Sequence, residues 1–248
     1  MGVPLSRATL ANWIIYCAEN YLRHVYDYFH RQLRMCKYLM ADETRVQVLN
    51  EPGRNPETDS WMWLFRSGED GLPPILLYHY TETRAKFHAA SFLQGFSGYL
   101  ETDGYQGYNN LPDIKRCSCW VHVRRYFTDA IPKGKEYDYS LPAEQRKQFR
   151  LEKEKPILDA FWNWLEQQHP NKGTRLAKVV SYAQNRKDTL MTYLEDGHCS
   201  LSNNLSENAI RPFTIGRKNW LFSASPKGAT ASAIVYTMVE MAKANCQN

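Results

Sequence analysis

The stretch KYLMADETRVQVLN, residues 37–50, decides the fold. Its apolar side chains leave the helical spacing of the preceding segment and begin to alternate with polar ones, as Val46 and Val48 show. Alternation of this kind is typical of a half-buried β-strand, because successive side chains point to opposite faces of the sheet. The sequence therefore predicts a first strand that ends near Asp42, with Glu43 directed to the opposite face.

The segments around this strand predict a sheet. Residues 6–33 have apolar side chains at helical spacing, with Ser6 as N-cap, and predict a helix that packs on the core. SWMWLFRSG and ILLYHY predict a second and a third strand, for which an antiparallel meander is the simplest arrangement. A helix over 84–96 precedes a fourth strand in GYLETDGY, and RCSCWVHVRRYF begins as a strand and turns helical near Val121.

The second half of the chain is predominantly helical in its pattern. Two helices are expected over 141–168 and 173–194, and a short helix from Ser202 is expected to end or kink at Pro212. IGRKNWLF then predicts a turn and a strand, and KGATASAIVYTMVEMAKAN predicts a terminal helix. Together these elements indicate an α/β fold with a mixed sheet, flanking helices and a helical insertion over 132–195.

Composition excludes several classes of protein. With 248 residues, 43% of them apolar, the chain can bury a substantial core and is not a disordered segment. Its six cysteines are too sparse for a disulfide scaffold, MGVPLSRATL lacks the apolar core of a signal peptide, and no apolar run is long enough to span a bilayer. We therefore expect a reduced, soluble, cytoplasmic protein.

Three carboxylates stand where the predicted elements end or begin. Asp42 closes the first strand, Asp103 closes the fourth, and Glu207 lies in the late helix. Glu101 shares a face with Asp103 and is its rival, but Gly104 lets the chain turn away and leaves the Asp103 carboxylate at the edge of the sheet. An Asp-Gly pair is also an ordinary turn signal, so the local pattern alone does not show whether Asp103 is a functional carboxylate or only a turn residue.

Glu207 also has a purely structural interpretation. NLSE has the spacing of a capping box, in which Asn204 would be the N-cap and Glu207 would reach back to its amide. However, Asn203, Glu207 and Arg211 recur at every fourth residue, so one helix face carries a carboxylate between an amide and a guanidinium. A cap does not require that pattern, which indicates a functional site.

Three convergent carboxylates are hard oxygen ligands and suit Mg²⁺ or Mn²⁺ better than Zn²⁺. Two such ions can activate an attacking oxygen and stabilise a leaving one in phosphodiester cleavage. The net charge of +5 permits an anionic partner, and between Leu205 and Gly228 one acid, Glu207, stands against four cations. These features favour a DNA substrate, since phosphate contacts supply much of DNA-binding affinity.

Four motifs, in this order and spacing, closely resemble bacterial transposases of the insertion sequence 66 family: ADET (41–44), TDGYQGYN (102–109), CWVHVRRYF (119–127) and NNLSENAIRPFTIGRKNWLF (203–222). The resemblance extends from about Pro4 to Lys243, and its last motif is the most specific. It implies a DDE transposase with a ribonuclease H-like core, whose metal-binding triad would be Asp42, Asp103 and Glu207. It also implies cleavage and strand transfer at transposon ends, with terminal inverted repeats and target DNA as partners and a homo-oligomer on DNA.

The same resemblance suggests a division of the chain and shows departures. We expect an N-terminal helical segment over 1–36, the two parts of the core over 37–131 and 199–248, and the helical insertion over 132–198. Family members commonly have an acid and an arginine where this chain has Ser202 and Asn208. They also usually carry further N- and C-terminal regions, so a truncated, non-catalytic copy that binds DNA or a full-length transposase remains an alternative, as does a general ribonuclease H-like nuclease.

The remaining candidates lie near the acids in sequence. Cys117, Cys119 and His122 have poor spacing for zinc, and buried strand cysteines are the better interpretation. The resemblance implies instead that His122, in a C-x-x-H element, lies near the active site. The other candidates for contacts around the triad or with DNA are Asn203, Asn204, Arg124, Arg125, Arg211, Arg217 and Lys218.

Overall fold

The computed structural model describes residues 4–69, 71–121 and 141–246. Six strands within these residues form one sheet: β1 (Tyr38–Val48), β2 (Asp59–Ser67), β3 (Leu76–Thr81), β4 (Gly98–Thr102), β5 (Ile114–Ser118) and β6 (Phe222–Ser223). Five of them follow the order β3–β2–β1–β4–β5, and the short β6 pairs with the far end of β1.

The α-helices of the described residues are α1 (Arg7–Cys17), α2 (Arg23–Met35), α3 (Lys86–Phe92), α4 (Ala143–Phe149), α5 (Lys155–Glu166), α6 (Arg175–Gln184), α7 (Lys187–Met191), α8 (Asn204–Trp220) and α9 (Pro226–Asn245). Short π-helical segments at Ala18–Leu22 and Arg150–Glu154 join α1 to α2 and α4 to α5. Ser6 caps α1 as expected, since its hydroxyl accepts the Thr9 amide.

The sheet is mixed. β1 and β2, and β2 and β3, pair antiparallel, which confirms the meander, while β4 is parallel to both β1 and β5. A mixed sheet in this order, flanked by helices, is consistent with a ribonuclease H-like α/β fold. The predicted fold class is therefore confirmed.

Each face of the sheet buries its own apolar cluster. Ala41, Trp63 and Phe65 face the cluster that includes residues of α2 and α3, whereas Val46, Met62 and Leu64 face α8 and α9. Because strand side chains alternate between faces, neighbouring residues of β1 and β2 contribute to different clusters. Asp42 therefore shares a face with Val46 and with α8.

The helix before β1 packs differently from the expectation. The apolar side chains that defined its spacing point largely outward: Trp13, Ile14 and Tyr21 are 54–62% exposed, and α1 buries no side chain completely. The contact with the core is made by Ala18, Tyr26 and Leu33, which are nearly or fully buried. The prediction of the helix is confirmed, but the face that was expected to pack on the core is wrong.

The helix α8 continues beyond the residue that was expected to end it. Pro212 lies inside it, and the helix ends only at Trp220, so the predicted strand in IGRKNWLF is reduced to Phe222–Ser223. A proline removes one backbone hydrogen bond, but α8 buries Ala209, Ile210 and Phe213 against the sheet. The Tyr78 hydroxyl also donates to the Ala209 carbonyl in the disturbed turn. Tertiary packing therefore outweighs the local effect of the proline.

Between residues 141 and 195 the described chain is helical and contributes no strand to the sheet. Trp162, Leu165 and Val180 form a small core of their own, against which Trp120 packs. The boundaries of the proposed insertion stay a prediction. No helix of the described residues combines the length and apolarity that crossing a membrane would require.

Candidate active site

The pairing of β1 with β4 brings two of the three predicted acids together. The parallel register aligns Tyr38 with Tyr99 and Met40 with Glu101. Continued by two residues, the same register sets Asp42 beside Asp103, the first residue after β4. Two acids that are 61 positions apart in sequence thus become neighbours.

The sequence predicted that Asp42 lies at the end of its strand, but the residue lies inside β1. β1 continues to Val48 because its antiparallel pairing with β2 extends through Gln47. Its pairing with β4, however, stops at Met40. Asp42 therefore occupies the point where one neighbour of β1 has ended, which leaves room for its side chain beside the end of β4.

The pKa of the Asp42 carboxyl group is raised by its burial and by the acids around it. Burial raises the pKa of Asp42 to about 7, and the negative charges of Glu43, Asp103 and Glu207 contribute to this shift. The backbone amide of Glu43 donates to Oδ1 of Asp42 at 2.9 Å and partly opposes the shift. Negative charge accumulates here at a cost, since like charges disfavour ionisation. A cation would relieve that repulsion.

Glu207 reaches this site because the start of α8 is tied to β1. The buried Asn203 donates through Nδ2 to the carbonyl of Ala41 at 3.0 Å, next to Asp42 in the chain. Its own backbone amide donates to Sγ of Cys119 at 3.2 Å. Asn203 thus connects α8 to β1 and to the end of β5, and Glu207 follows in the first turn of the helix. Because Asn203 is fully buried, its side chain does not face a DNA surface.

The capping box expected at this helix is wrong. Asn203, not Asn204, is the N-cap residue, and its side chain makes no capping bond because it is bonded to β1 and to the Ser206 hydroxyl. Ser202 supports the turn instead, since its Oγ accepts the Asn204 amide at 3.1 Å. Ser202 therefore serves the local geometry of the turn, and Asn204 is exposed.

Glu43 lies on the opposite face of β1, as expected, and it is committed to other partners. Its side chain is only 1% exposed, and Nε of Arg84 donates to it at 2.8 Å while the Tyr108 hydroxyl donates at 2.5 Å. Burial raises the pKa of Glu43, and the bonds from Tyr108 and Arg84 oppose that shift. The Arg84 guanidinium in turn stacks on the ring of Tyr105 at 3.6 Å.

Glu101, the rival of Asp103, is fully buried. The Tyr38 hydroxyl donates to its carboxylate, and burial raises the pKa of Glu101 to about 8. Burial thus disfavours the ionised form of Glu101, and the protein encloses its carboxyl group. This placement favours Asp103, whose partly exposed side chain accepts the Tyr105 amide at 2.8 Å.

Two arginines that the sequence did not single out hold the loop that carries Asp103. Arg116 of β5 donates to the Thr102 hydroxyl at 2.9 Å and to the Asp103 carbonyl. Arg186, between α6 and α7, donates to the Gly104 carbonyl at 2.8 Å. Neither arginine belongs to a recognisable local motif, because the contacts join residues 13 and 82 positions apart.

Cys117 and Cys119 are buried, as expected for strand cysteines that pack in the core. Cys117 and Cys199 lie with their sulfur atoms 3.6 Å apart, too far for a disulfide bond. The hydrogen bond with the neighbouring thiol, together with burial, raises the pKa of Cys117. His122, Arg124 and Arg125 lie outside the described residues. The expectation that His122 stands near the active site therefore stays a prediction.

The three cations predicted on α8 differ in their surroundings. Arg211 and Lys218 are exposed. Arg217 is partly buried and donates through its guanidinium to the Arg45 carbonyl in β1. Arg217 therefore supports the contact between α8 and β1, whereas the other two face outward.

The donor chemistry of the acids fits a hard cation, but their side chains are not gathered into a closed cage. Among residues 4–69, 71–121 and 141–246, no group of three His, Cys, Asp or Glu side chains is placed closely enough to hold an ion. Mg²⁺ is commonly bound by one or two carboxylates together with water and substrate phosphates, so such a cage is not required.

Comparison with known proteins gives the family. Residues 1–231 match the family described as Transposase IS66 family. Two uncharacterised proteins of Sinorhizobium fredii, y4qI and y4hP, are 29% and 26% identical to this chain. Each alignment covers 98% of the chain and 51% of the relative, so the chain spans about half the length of these relatives. No solved structure matches significantly.

Proposed function

The chain belongs to the IS66 transposase family, and we propose that it forms the catalytic core of a DNA transposase that cuts phosphodiester bonds at transposon ends and joins them to target DNA. Asp42, Asp103 and Glu207 are its metal-binding acids. The observation that carries the proposal is the meeting of Asp42 with Asp103 through the β1–β4 register, with the charge of Glu207 close enough to raise the pKa of Asp42.

In this proposal the acids hold Mg²⁺ or Mn²⁺, two ions in all. The ions supply activation of an attacking oxygen and stabilisation of a leaving oxygen. The protein contributes the placement of the ligands: β1 and β4 fix the two aspartates, and Asn203 fixes the helix that carries Glu207. Oxygen donors are the ligands that these ions prefer.

The DNA partner follows from charge. Three carboxylates repel a polyanion, so the phosphates need cations near the site in order to approach it. Arg211 and Lys218 project from the helix that carries Glu207 and are exposed. We assign them to phosphate contacts, with terminal inverted repeats and target DNA as the partners, a homo-oligomer as the working form and the cytoplasm as the location.

The direct test is Mg²⁺-dependent nicking of a plasmid that carries the gene with its flanking DNA. We expect Glu207→Ala to abolish nicking while leaving DNA binding largely intact, because it removes a metal ligand and not a phosphate contact. Asp113→Asn is the matched control, since Asp113 is exposed and its φ of 58° suits asparagine. Nicking by Glu207→Ala at the parental rate would mean that Glu207 is not a metal ligand and that this mechanism is wrong.

A further inference from the structure

Guanidinium groups from two different parts of the chain donate hydrogen bonds to the backbone carbonyls of Asp103 and Gly104. Arg116 comes from the neighbouring strand β5, whereas Arg186 comes from the helical segment that lies between β5 and α8 in sequence. We propose that Arg186 is a positioning residue for Asp103, through which the helical segment sets the geometry of the metal ligands. The inference rests on the proposed function, since it assigns a role to the same site.

Gly104 is what allows this contact. A Cβ atom added to it would lie 2.5 Å from the Tyr182 hydroxyl and 3.0 Å from Nη2 of Arg186. Any side chain at residue 104 would therefore force both groups away. The Asp-Gly pair that resembles an ordinary turn signal is thus a site where the helical segment approaches the backbone closely.

The two arginines bind the backbone of the loop and not the Asp103 carboxylate, whose oxygens stay available as metal ligands. Arg116 and Arg186 donate to the carbonyls of Asp103 and Gly104, and the Asp103 side chain accepts only the Tyr105 amide among the hydrogen bonds found within the described residues. A metal ligand needs this combination, because its backbone must be fixed while its oxygens stay available. Supports of this kind orient ligands and strengthen metal binding.

Arg186 also has contacts within its own helical segment, and these suggest an alternative role that is limited to stabilising that segment. Its Nη1 donates to the Tyr182 carbonyl at 3.2 Å, and its guanidinium lies 3.8 Å from the centre of the Tyr182 ring. These contacts would stabilise the end of α6 without any partner in the core. The bond from Nη2 to Gly104 leaves the segment, however, and brings a second cation near Arg116. Burial lowers the pKa of Arg116, and the charge of Arg186 lowers it further. The charge of the nearby acid Asp103 opposes this shift.

The test measures Mn²⁺ binding to the whole chain without DNA, by titration calorimetry, so that it does not depend on catalysis. We expect Arg186→Ala to weaken Mn²⁺ binding by about 10- to 100-fold, the usual effect of removing a support of a ligand. Arg186→Lys keeps one donor for the Gly104 carbonyl and should recover part of the affinity. Lys187→Ala is the matched control, since Lys187 loses the same charge but pairs with Glu166, away from the loop.

A second variant keeps the test decisive if Arg186→Ala disturbs α6. Gly104→Ala leaves every side chain of the helical segment intact and displaces the contact from the other side, so it should weaken Mn²⁺ binding similarly. In the double variant the two losses should not add, because both remove one contact. Parental Mn²⁺ affinity in Arg186→Ala and Gly104→Ala would overturn the inference.

Asp103→Asn separates this inference from the proposed function. If Asp103→Asn loses Mn²⁺ binding while Arg186→Ala retains it, the metal site stands and only the role of Arg186 is wrong. If Asp103→Asn binds Mn²⁺ as the parent does, the proposed metal site itself is wrong and the inference fails with it.

Discussion

At the scale of single residues, the site is built at the expense of stability. Asp42 is held among three other acids in a partly buried position, so its ionised form is disfavoured in the folded chain. Nothing in the local sequence ADET reveals this, because the neighbours that raise its pKa include residues 61 and 165 positions away. The choice of Asp42, Asp103 and Glu207 came from motif spacing, whereas their mutual electrostatics required the fold.

The pKa of Asp42 makes a prediction about stability. In the folded chain it is about 7 against 3.8 for an unperturbed aspartate, so the folded state holds a proton that the unfolded state has lost between these values. The contribution of Asp42 to the free energy of unfolding should therefore become increasingly unfavourable as pH rises from about 4 to 7. Asp42→Asn removes this effect, and we expect it to raise the free energy of unfolding at pH 8 by roughly 2 kcal/mol, discounted for partial exposure.

Thermal and urea unfolding at pH 4 and pH 8, both in EDTA, would measure the difference. The gain should be absent near pH 4 and level above pH 7. Asp113→Asn again serves as the control, because it removes an exposed carboxylate. An Asp42→Asn variant that is less stable than the parent at pH 8 would contradict the electrostatic account of the site.

At the scale of elements, the strands were easier to predict than the late helix. Alternation in residues 37–50 and the apolar, turn-bounded segments that follow identified β1, β2 and β3, which contribute side chains to both core clusters. Pro212 misled the prediction for α8, since its local effect is opposed by the burial of Phe213 and its neighbours. That burial involves β1, β2 and α9, which no local pattern contains.

The helix α8 also separates two cations that look alike in sequence. Lys218 is exposed, whereas Arg217 donates to the Arg45 carbonyl of β1. We expect Lys218→Ala to weaken binding to all DNA sequences alike and to reduce the salt dependence by about one unit of slope, with little change in melting temperature. Arg217→Ala should lower the melting temperature, because it removes a contact between α8 and β1.

DNA binding at several salt concentrations, with a melting curve for each variant, would separate the two roles. Thr214→Ala on the same helix is a suitable control, since the Thr214 hydroxyl donates to the Arg211 carbonyl of α8 and has no partner elsewhere in the described part of the chain. An unchanged salt slope in Lys218→Ala would remove this helix face from the proposed DNA interface.

At the scale of the whole molecule, the sheet topology brings together acids that are distant in sequence. The order β3–β2–β1–β4–β5 places β4 directly beside β1, and the end of β4 therefore delivers Asp103 next to Asp42. The assignment of the triad to Asp42, Asp103 and Glu207 stays a prediction, but the α/β class could be predicted from the sequence, because it follows from the alternation of side chains and the order of the elements. The supports of the triad could not: Asn203, Arg116 and Arg186 act through contacts that only the folded chain creates.

The central claim is that Asp42, Asp103 and Glu207 together bind divalent metal ions. The most direct measurement is anomalous scattering from crystals of the chain soaked in Mn²⁺, in parallel with crystals of Asp103→Asn. The account predicts an anomalous peak bonded to the carboxylates of Asp42 and Asp103, with Glu207 at the same peak or at a second one beside it, and the loss of these peaks in Asp103→Asn. At saturating Mn²⁺, well-ordered carboxylates without a peak, or a peak that persists in Asp103→Asn, would contradict it.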